Sequence, residues 1–228
     1  MPVKVIFFDA GGTLFEPYPS VGDIYARTAL KHGLRAGADD IERLFGDAWH
    51  ARNGLSSLAG ATTDKIERDW WYGLVRDVFA PLGRFKDFEA FFAELYDLFA
   101  RAECWRLFDD VRPALDQLRG AGYRLGILSN WDHRLFSIVE ALGLSDFETV
   151  TASAAVGVAK PSPGIFHKAL ESMSVPAADA LHVGDSLVDD VQGATSVGMR
   201  GVLLDRRGKP YNGVTVIRSL RELLGVLS

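Results

Sequence analysis

The first residue of the chain with clear chemical potential is a carboxylate, Asp9. It directly follows the apolar run at 5–8 and precedes Gly11 and Gly12, small residues that let a substrate approach the backbone. A strand that is apolar throughout is typical of the middle of a parallel sheet with helices on both faces. Such sheets bind ligands just beyond the carboxyl ends of their strands. Asp9 is therefore placed to act as a nucleophile or a metal ligand, or more simply to cap the following turn.

Three later segments also place polar side chains after short apolar strands, which are predicted at residues 123–128, 149–153 and 180–183. The polar residues that follow them are Ser129 and Asn130, Lys160, and Asp185 with Asp189 and Asp190. In a doubly wound sheet the carboxyl ends of the parallel strands meet at one edge. We therefore expect these groups to converge on Asp9.

The converging groups suit phosphoryl transfer, which needs an in-line nucleophile and positive charge around the transferred oxygens. Asp9 and Asp185 supply carboxylates of the kind that hold Mg²⁺. Lys160 precedes a proline that favours an extended loop, and its ammonium would offset repulsion between phosphate and carboxylates. Other roles stay open: Ser129 also suits a helix cap, Lys160 a solvated surface, and the acidic pair at 189–190 the first turn of a helix.

The four motifs, in this order, resemble the haloacid dehalogenase-like hydrolase superfamily, in particular its subgroup with a helical cap inserted after the first motif. The resemblance covers the whole chain, and four ordered motifs are far more specific than a single glycine pattern. It implies a Mg²⁺-dependent phosphatase that acts on a small phosphorylated metabolite through an aspartyl-phosphate at Asp9. The implied metal ligands are Asp9, the carbonyl of Gly11, Asp185 and Asp190. The implied substrate-binding residues are Gly12, Thr13, Ser129, Asn130 and Lys160, with Asp9 and Lys160 as the catalytic residues.

One position departs from the family pattern. Phosphatases of the superfamily usually carry a second aspartate two residues after the nucleophile, as general acid and base, whereas this chain has Gly11. Such assistance is worth about 10²–10⁴ in rate. Another group could replace it, and the candidates are Glu16, His50, Asp132 and His133. Alternatively, the substrate has a good leaving group such as an acyl phosphate, or the protein is a noncatalytic or nearly inactive module that binds a ligand or partner.

Two further reactions of the superfamily rank third, the cleavage of carbon–phosphorus and of carbon–halogen bonds. The first would draw a Schiff-base lysine from the cap, and none of Lys31, Lys65 and Lys86 lies in an apolar run that would favour the neutral amine. Dehalogenases of the superfamily dispense with the metal and do not keep the Gly-Asp pair found at 184–185. Which of Asp189 and Asp190 faces a metal stays open.

The elements that must hold these residues fall into two groups. Strands and helices alternate over 1–15 and 106–228, which predicts an α/β fold, a Rossmann-like core with a doubly wound parallel sheet. Residues 16–105 show helical periodicity instead and form the predicted all-helical cap. Cap helices are predicted at 21–31, 39–53, 63–79 and 88–100, with Asp39 and Thr63 as N-caps. Core helices are predicted at 111–121, 135–142, 164–173, 190–197 and 219–227, with a further strand at 201–204 and a surface loop at 205–212.

Composition limits the partners and the compartment. The formal net charge of −5 argues against nucleic acid as a principal partner. No stretch approaches the roughly 20 apolar residues of a membrane-spanning helix, and the N-terminus leaves no room for a signal peptide before the first strand. The single cysteine, Cys104, excludes an intrachain disulfide. We expect a cytoplasmic protein, monomeric or homodimeric, with a small phosphorylated substrate.

The aromatic residues of the cap are assigned to packing between its helices rather than to base stacking. They are Trp49, Trp70, Trp71, Phe91, Phe92 and Phe99. Large rings at helical spacing usually face a core, so this assignment needs no ligand.

Overall fold

Six parallel strands form the central sheet in the computed structural model, which describes residues 2–58 and 60–227. In chain order the strands are β1 Val5–Phe8, β2 Phe15–Pro17, β3 Trp105–Leu107, β4 Arg124–Ser129, β5 Thr149–Ala152, β6 Ala180–Gly184, β7 Arg200–Leu204 and β8 Thr215–Ile217. The order across the sheet is β5-β4-β1-β6-β7-β8. Strands β2 and β3 form a separate antiparallel ribbon.

The helices divide between the cap and the two faces of the sheet. Those of the cap are α1 Val21–Lys31, α2 Ala38–Ala51, α3 Asp64–Phe79 and α4 Phe88–Leu98. Those of the core are α5 Val111–Gly120, α6 Arg134–Ala141, α7 Ser153–Val156, α8 Pro163–Ser172, α9 Gly193–Ser196 and α10 Leu223–Leu227. A π-helical segment, Leu187–Gln192, leads into α9.

Strand β1 lies between β4 and β6, and its side chains alternate between two hydrophobic clusters. Ile6 and Phe8 point into the cluster that α5, α6 and α10 complete, whereas Val5 and Phe7 point into the cluster formed with α8 and α9. Because a strand alternates its side chains between the faces of a sheet, helices on both faces explain why all four residues are apolar. The predicted α/β fold is confirmed.

The cap helices pack around a hydrophobic cluster of their own, which is rich in aromatic side chains. Trp70, Phe91 and Phe92 are buried in it, in line with their predicted packing role. Trp49 and Trp71 are only half-buried because they also line a cavity that faces the core. The cap is therefore both a packed unit and a wall of that cavity.

Of the two predicted N-caps, one is confirmed and the other is wrong. Thr63 Oγ1 accepts a hydrogen bond from the backbone N of Ile66 at 3.2 Å and starts α3, as predicted. The assignment of Asp39 as N-cap is wrong, because α2 begins at Ala38 after Gly37. Asp39 lies inside the first turn, where its negative charge still interacts favourably with the positive end of the helix dipole.

The separate cap cluster supports the proposed division into a core at 1–15 and 106–228 and a cap at 16–105. Strand β2 precedes the cap helices and β3 follows them, so the β2–β3 ribbon brings the two ends of the cap segment together. In it, Phe15 pairs with Leu107 and Pro17 with Trp105. This ribbon was not predicted, since three-residue strands carry too little pattern to identify. The exact boundaries stay a prediction.

A second connection joins cap and core at a distance from the ribbon along the chain. Ala61, between α2 and α3, forms an isolated antiparallel bridge with Val158. The N–H of Thr62 donates to the carbonyl of Gly157 at 3.1 Å. Among the described residues, backbone hydrogen bonds thus join the proposed cap to the core both at the ribbon and here.

Other elements differ from the prediction in detail. The predicted helix at 190–197 is a π-helical segment followed by α9, and the predicted strand at 149–153 gives way to α7 at Ser153. Strand β8 was missed, because its three residues join the edge of the sheet only through pairing with β7. The final predicted helix is a 3-10 turn, Leu220–Glu222, followed by α10.

Two expectations drawn from composition can be compared with the fold. Within the described ranges, no helix combines the length and the apolar character that crossing a bilayer requires. The free thiol of Cys104 is buried in the cap cluster, and this burial raises its pKa. Cys104 is therefore a packing residue rather than a nucleophile.

Candidate active site

Asp9 lies at the carboxyl end of the central strand β1 and is 8% exposed. Ser129 Oγ, at the end of β4, donates a hydrogen bond to Asp9 Oδ1 at 2.8 Å. Lys160 Nζ donates to the same oxygen at 2.7 Å. Neither bond engages Oδ2, so the second carboxylate oxygen can act as a nucleophile while the first is held in place.

Lys160 provides an enclosed positive charge, with 2% of the residue exposed. Its Nζ donates to Asp9 Oδ1, to Asp190 Oδ1 at 2.6 Å and to the carbonyl of Leu128 at 3.2 Å. Burial alone would lower the pKa of Lys160, but the Asp190 and Asp9 carboxylates outweigh it and raise that pKa above its ordinary value. The lysine is therefore a permanent cation.

Two side chains hold Lys160 and Asp190 in position. The N–H of Lys160 donates to Asn130 Oδ1 at 2.6 Å, and Asn130 Nδ2 donates to the lysine carbonyl at 3.0 Å. His182, fully buried in β6, has its Nε2 2.9 Å from Asp190 Oδ1. Because burial lowers the pKa of His182, we assign a neutral ring that donates its proton from Nε2.

Asp190 is the most heavily bonded carboxylate of the site. Its Oδ1 receives the bonds from Lys160 and His182, and its Oδ2 accepts from the N–H of Ser186 at 2.9 Å. Burial would raise the pKa of Asp190, but these neighbours, Lys160 first, lower it below the usual range. Asp190 therefore stays ionised and anchors the ammonium.

Asp185, which follows β6, adds a third carboxylate. Asp9, Asp185 and Asp190 each offer an oxygen within 4.8 Å of the other two. Asp185 faces the cavity, where solvent reaches it, yet protein surrounds it on most sides, and this enclosure together with Asp9 and Asp190 raises its pKa. Three carboxylates beside one ammonium leave excess negative charge, and oxygen donors are the ligands that Mg²⁺ prefers. The donor set fits a divalent cation.

The turn after Asp9 lets Asp185 approach the backbone closely. Gly12 has φ +80°, in the left-handed region, and a Cβ built there would lie 2.5 Å from Asp185 Oδ2. Glycine meets both requirements without strain. Thr13 is fully buried under this turn, is not among the residues that line the cavity, and its carbonyl accepts from Arg206 Nη2 at 2.9 Å.

Trp131 fills the space next to the position of the absent general acid. A Cβ built on Gly11 would lie 2.9 Å from Cζ3 of the Trp131 indole. The indole packs edge-on against the rings of Phe15 and Trp105, with centroids 5.6 and 5.2 Å away. A side chain at position 11 would therefore require the indole to move.

The site opens into a cavity of about 630 Å³ between core and cap. The predicted site residues that line it are Asp9, Gly11, Gly12, Ser129, Asn130, Lys160, Asp185, Asp189 and Asp190. Asp189 accepts a hydrogen bond from Ser56 Oγ of the cap at 2.6 Å, and burial raises its pKa. Groups from four separate segments thus meet at one end of the cavity, with the cap above them.

One of the four candidates for the missing acid, His50, lines this cavity, and its Nδ1 lies 2.6 Å from the carbonyl of Gly46. The other three form ion pairs: Glu16 with Arg106 at 2.6 Å, Asp132 with Arg134 at 2.7 Å, and His133 with Asp64 at 2.6 Å. An acid that is already paired is poorly placed to protonate a leaving group. His50 is therefore the candidate that the geometry retains.

A buried carboxylate of the cap joins the core segment that carries Trp131. Glu67, in α3, is 1% exposed, and its Oε1 accepts from Ser153 Oγ at 2.5 Å and from Thr62 Oγ1 at 3.1 Å. Ser153 Oγ also accepts from the N–H of Trp131 at 2.8 Å. Burial and the nearby negative charge of Asp132 raise the pKa of Glu67 to about 7, although the two hydrogen bonds oppose this.

This buried acid should make the stability of the fold depend on pH. A carboxyl whose pKa is about 7 when folded, against 4.5 when exposed, stabilises the folded chain most below about pH 4.5. The stabilisation is then lost as the pH rises towards 7. From the size of the shift we expect a loss of about 3 kcal/mol in the free energy of unfolding.

Replacing Glu67 by Gln should remove this contribution. We expect Glu67→Gln to flatten the decline in stability between pH 5 and pH 7.5 and to be the more stable protein at the upper end. Urea unfolding at both pH values would measure the free energy of unfolding. The exposed Glu89→Gln is the control and should keep the wild-type dependence of that free energy on pH. Equal slopes for Glu67→Gln and wild type would contradict the assigned pKa.

Several residues of the site were missed at the level of sequence. Trp131 directly follows the Ser129-Asn130 pair but has no pattern that reveals its contact with Gly11. His182 offered a usable signal, because it is a titratable residue inside an otherwise apolar strand. Arg207 lies in the predicted surface loop yet lines the cavity.

Comparison with known proteins agrees with this geometry. The sequence profile of the haloacid dehalogenase-like hydrolase family matches residues 3–198. The chain is 35% identical over 210 residues to haloacid dehalogenase-like hydrolase domain-containing protein 3 of Danio rerio, covering 91% of this chain and 87% of that protein. It is 30% identical over 198 residues to a phosphatase of Mycobacterium tuberculosis, covering 79% and 90% respectively. The crystal structure of an L-2-haloacid dehalogenase superposes with a TM-score of 0.77 at 28% identity, covering 100% of this chain and 99% of that one.

Proposed function

Because the chain belongs to the haloacid dehalogenase-like hydrolase family, we propose that it is a Mg²⁺-dependent phosphatase that acts on a small phosphorylated compound through an aspartyl-phosphate at Asp9. The observation that carries the proposal is the bonding of Asp9, whose Oδ1 is held by Ser129 and Lys160 while Oδ2 is not engaged by either. The phosphatase of Mycobacterium tuberculosis, a relative at 30% identity, adds support.

In the proposed reaction, Asp9 Oδ2 attacks the phosphorus and displaces the leaving group, and water then hydrolyses the aspartyl-phosphate. Lys160 keeps its positive charge throughout and reduces the repulsion between the attacking carboxylate and the phosphate. The backbone amides near Asn130 would donate hydrogen bonds to the phosphate oxygens, and Ser129 would join them by turning its one hydroxyl proton from Asp9 Oδ1 to the phosphate. Asp9 and Lys160 are already held together by the bond described above, so this pair needs little reorganisation before the attack.

Asp9, Asp185 and the carbonyl of Gly11 would hold Mg²⁺, which would supply charge neutralisation between the carboxylates and the phosphate. Asp190 belongs to the same group of carboxylates, but its oxygens already accept from Lys160, His182 and Ser186. We propose that Asp190 supports the ammonium and the cation site, with Asp189 beside it.

Removal of the metal tests this proposal. We expect the protein to release phosphate from acetyl phosphate in the presence of Mg²⁺, and the rate to fall at least about tenfold in EDTA because the site loses its charge balance. Excess Mg²⁺ should restore the rate, which serves as the control for damage by the chelator. Rapid quenching with labelled acetyl phosphate should recover a phosphorylated protein. A rate that is unchanged by EDTA, or no label on the protein, would contradict the proposal.

Two alternatives have their own signatures in the same assays. A noncatalytic ligand-binding module, which Gly11 favours, would release no phosphate and would leave Asp9 untouched by beryllofluoride, which should occupy Asp9 of an enzyme in the presence of Mg²⁺. A carbon–halogen hydrolase, which the similarity to the L-2-haloacid dehalogenase favours, would release halide from a 2-haloacid in EDTA. The excess of carboxylates argues against this reaction. Without a cation in the site, the negative charge of a haloacid would be repelled by Asp9, Asp185 and Asp190.

A further inference from the structure

The cavity above Asp9 is much larger than a phosphate group requires. Its volume of about 630 Å³ falls within the range of roughly 300–1,000 Å³ that sites for whole small molecules occupy. A substrate that fills it must therefore carry a sizeable group beyond the phosphoryl group. The chemistry of the cavity wall limits what that group can be.

The part of the wall that the cap and its ribbon contribute is largely aromatic. Six of the rings are those of Phe45, Trp49, Trp71, Phe92, Phe99 and Trp105. Trp49 and Trp71 lie 5.7 Å apart with planes tilted by 34°. Rings in such a wall favour a flat apolar guest, which they can contact by offset stacking or edge to face.

The charged side chains of the wall are largely committed to protein partners. Glu42 accepts a hydrogen bond from the N–H of Gly22 at 2.6 Å. Arg134 donates to Asp132 at 2.7 Å and stacks on the ring of Tyr96 at 3.5 Å. A sugar would bury hydroxyl groups against such a wall with few partners, and unpaired buried hydroxyl groups are costly. Asn53 and Arg207 also line the cavity, so one polar substituent on the guest is compatible with the wall.

The leaving group that the reaction requires also favours an aromatic compound. Gly11 supplies no acid, the Trp131 indole fills the adjacent space, and the retained candidate His50 donates its Nδ1 proton to the carbonyl of Gly46. A group that departs without a proton must be a weak base, which a phenol with a pKa of about 10 satisfies far better than an alcohol. The aromatic wall and the missing acid are independent observations, and an aryl group on the phosphate satisfies both.

We propose that the substrate is an aryl phosphate monoester whose ring packs in the cavity against Trp49, Trp71 and the neighbouring cap aromatics. This proposal rests on the proposed phosphatase function. In the reaction, Asp9 Oδ2 forms a bond to phosphorus while the bond from phosphorus to the aryl oxygen breaks, and the aryloxide leaves with the electron pair. Water then attacks the phosphorus of the aspartyl-phosphate and gives up one proton to the aryloxide. The products are a phenol, inorganic phosphate and the original carboxylate.

Binding of stable phosphonates tests the ring separately from the chemistry. The probes are (2-naphthylmethyl)phosphonate and ethylphosphonate, titrated calorimetrically into the protein with Mg²⁺. Burial of an aromatic ring against this wall predicts about 10²-fold tighter binding of the naphthyl compound. Equal affinities for the two phosphonates would overturn the proposal.

Two variants locate the ring. We expect Trp71→Leu to weaken binding of the naphthyl compound about tenfold and to leave ethylphosphonate unchanged. Phe88→Leu is the matched control, because Phe88 packs in the same cap cluster against Tyr72, Phe85 and Phe91 but does not line the cavity. Equal effects of the two variants on the naphthyl compound would also overturn the proposal.

Turnover separates this inference from the proposed function. We expect kcat/KM for 2-naphthyl phosphate to exceed that for glycerol 3-phosphate at least about 10²-fold, since an alkoxide lacks its acid catalyst. Hydrolysis of acetyl phosphate without any preference for the naphthyl compounds would refute the aryl substrate and leave the phosphatase function intact. Absence of acetyl phosphate hydrolysis would refute the phosphatase function itself, regardless of the affinities measured for the phosphonates.

Discussion

Asp9→Asn is expected to lower kcat for acetyl phosphate by at least about 10³-fold, because loss of a covalent nucleophile typically costs 10⁴–10⁶. The asparagine keeps the shape of the side chain but cannot form the acyl phosphate. Its oxygen can still accept from Ser129 and Lys160, which now hold the acid at 2.8 and 2.7 Å. The measurement is steady-state phosphate release together with recovery of the phosphorylated protein after rapid quenching.

The control must show that the variant is folded. Lys160 keeps Asp190 as a charged partner at 2.6 Å, so the buried ammonium does not become isolated in Asp9→Asn. We therefore expect a cooperative thermal transition close to that of the wild type. Asp69→Asn, which changes an exposed carboxylate on α3, should leave kcat unchanged. A folded Asp9→Asn protein that keeps more than about a tenth of the activity would exclude Asp9 as the nucleophile.

The second large effect is expected from restoring an acid at position 11 while making room for it. Gly11→Asp alone should give little gain, since its Cβ would lie 2.9 Å from the Trp131 indole. Combined with Trp131→Ala, the new carboxyl has space, and we expect hydrolysis of an alkyl ester such as glycerol 3-phosphate to rise about 10²–10⁴-fold. The measurement is kcat/KM for the four proteins of the double-mutant cycle.

The leaving group provides the internal control for this cycle. Acetyl phosphate needs little protonation of its leaving group, so its hydrolysis should change far less than that of the alkyl ester. Trp131→Ala alone opens the space without an acid and should not accelerate the alkyl ester. If the double variant is no faster on the alkyl ester than Trp131→Ala, absence of an acid at position 11 does not limit the rate.

The arrangement of the site was largely predictable because it depends on the order of strands. Asp9, Ser129 and Asp185 each follow an apolar strand, and the carboxyl ends of parallel strands must meet at one edge. Lys160 was predictable from its motif, although it follows α7 rather than a strand directly. Chain order and hydrophobic pattern carry this information, so no knowledge of side-chain packing was needed.

What escaped prediction depends on contacts between distant segments. The β2–β3 ribbon pairs Phe15 with Leu107 across the whole length of the cap segment, and neither triplet predicts a strand alone. Trp131 covers Gly11 because Phe15 and Trp105 hold its ring. In α2, Asp39 has the side chain of an N-cap, but the helix begins earlier and the sequence rule fails.

The attachment of the cap at Ala61 lies directly beside the chain segment that carries Lys160. Ala61 bridges Val158, and the N–H of Ala159 donates to the carbonyl of Gly60 at 3.4 Å, directly before Lys160. Any outward movement of the cap would have to break these backbone bonds, which support the strip of chain that carries the ammonium. Because this strip adjoins the strand-end residues that bind the ammonium, the position of the cap is coupled by backbone contacts to the residue next to Lys160.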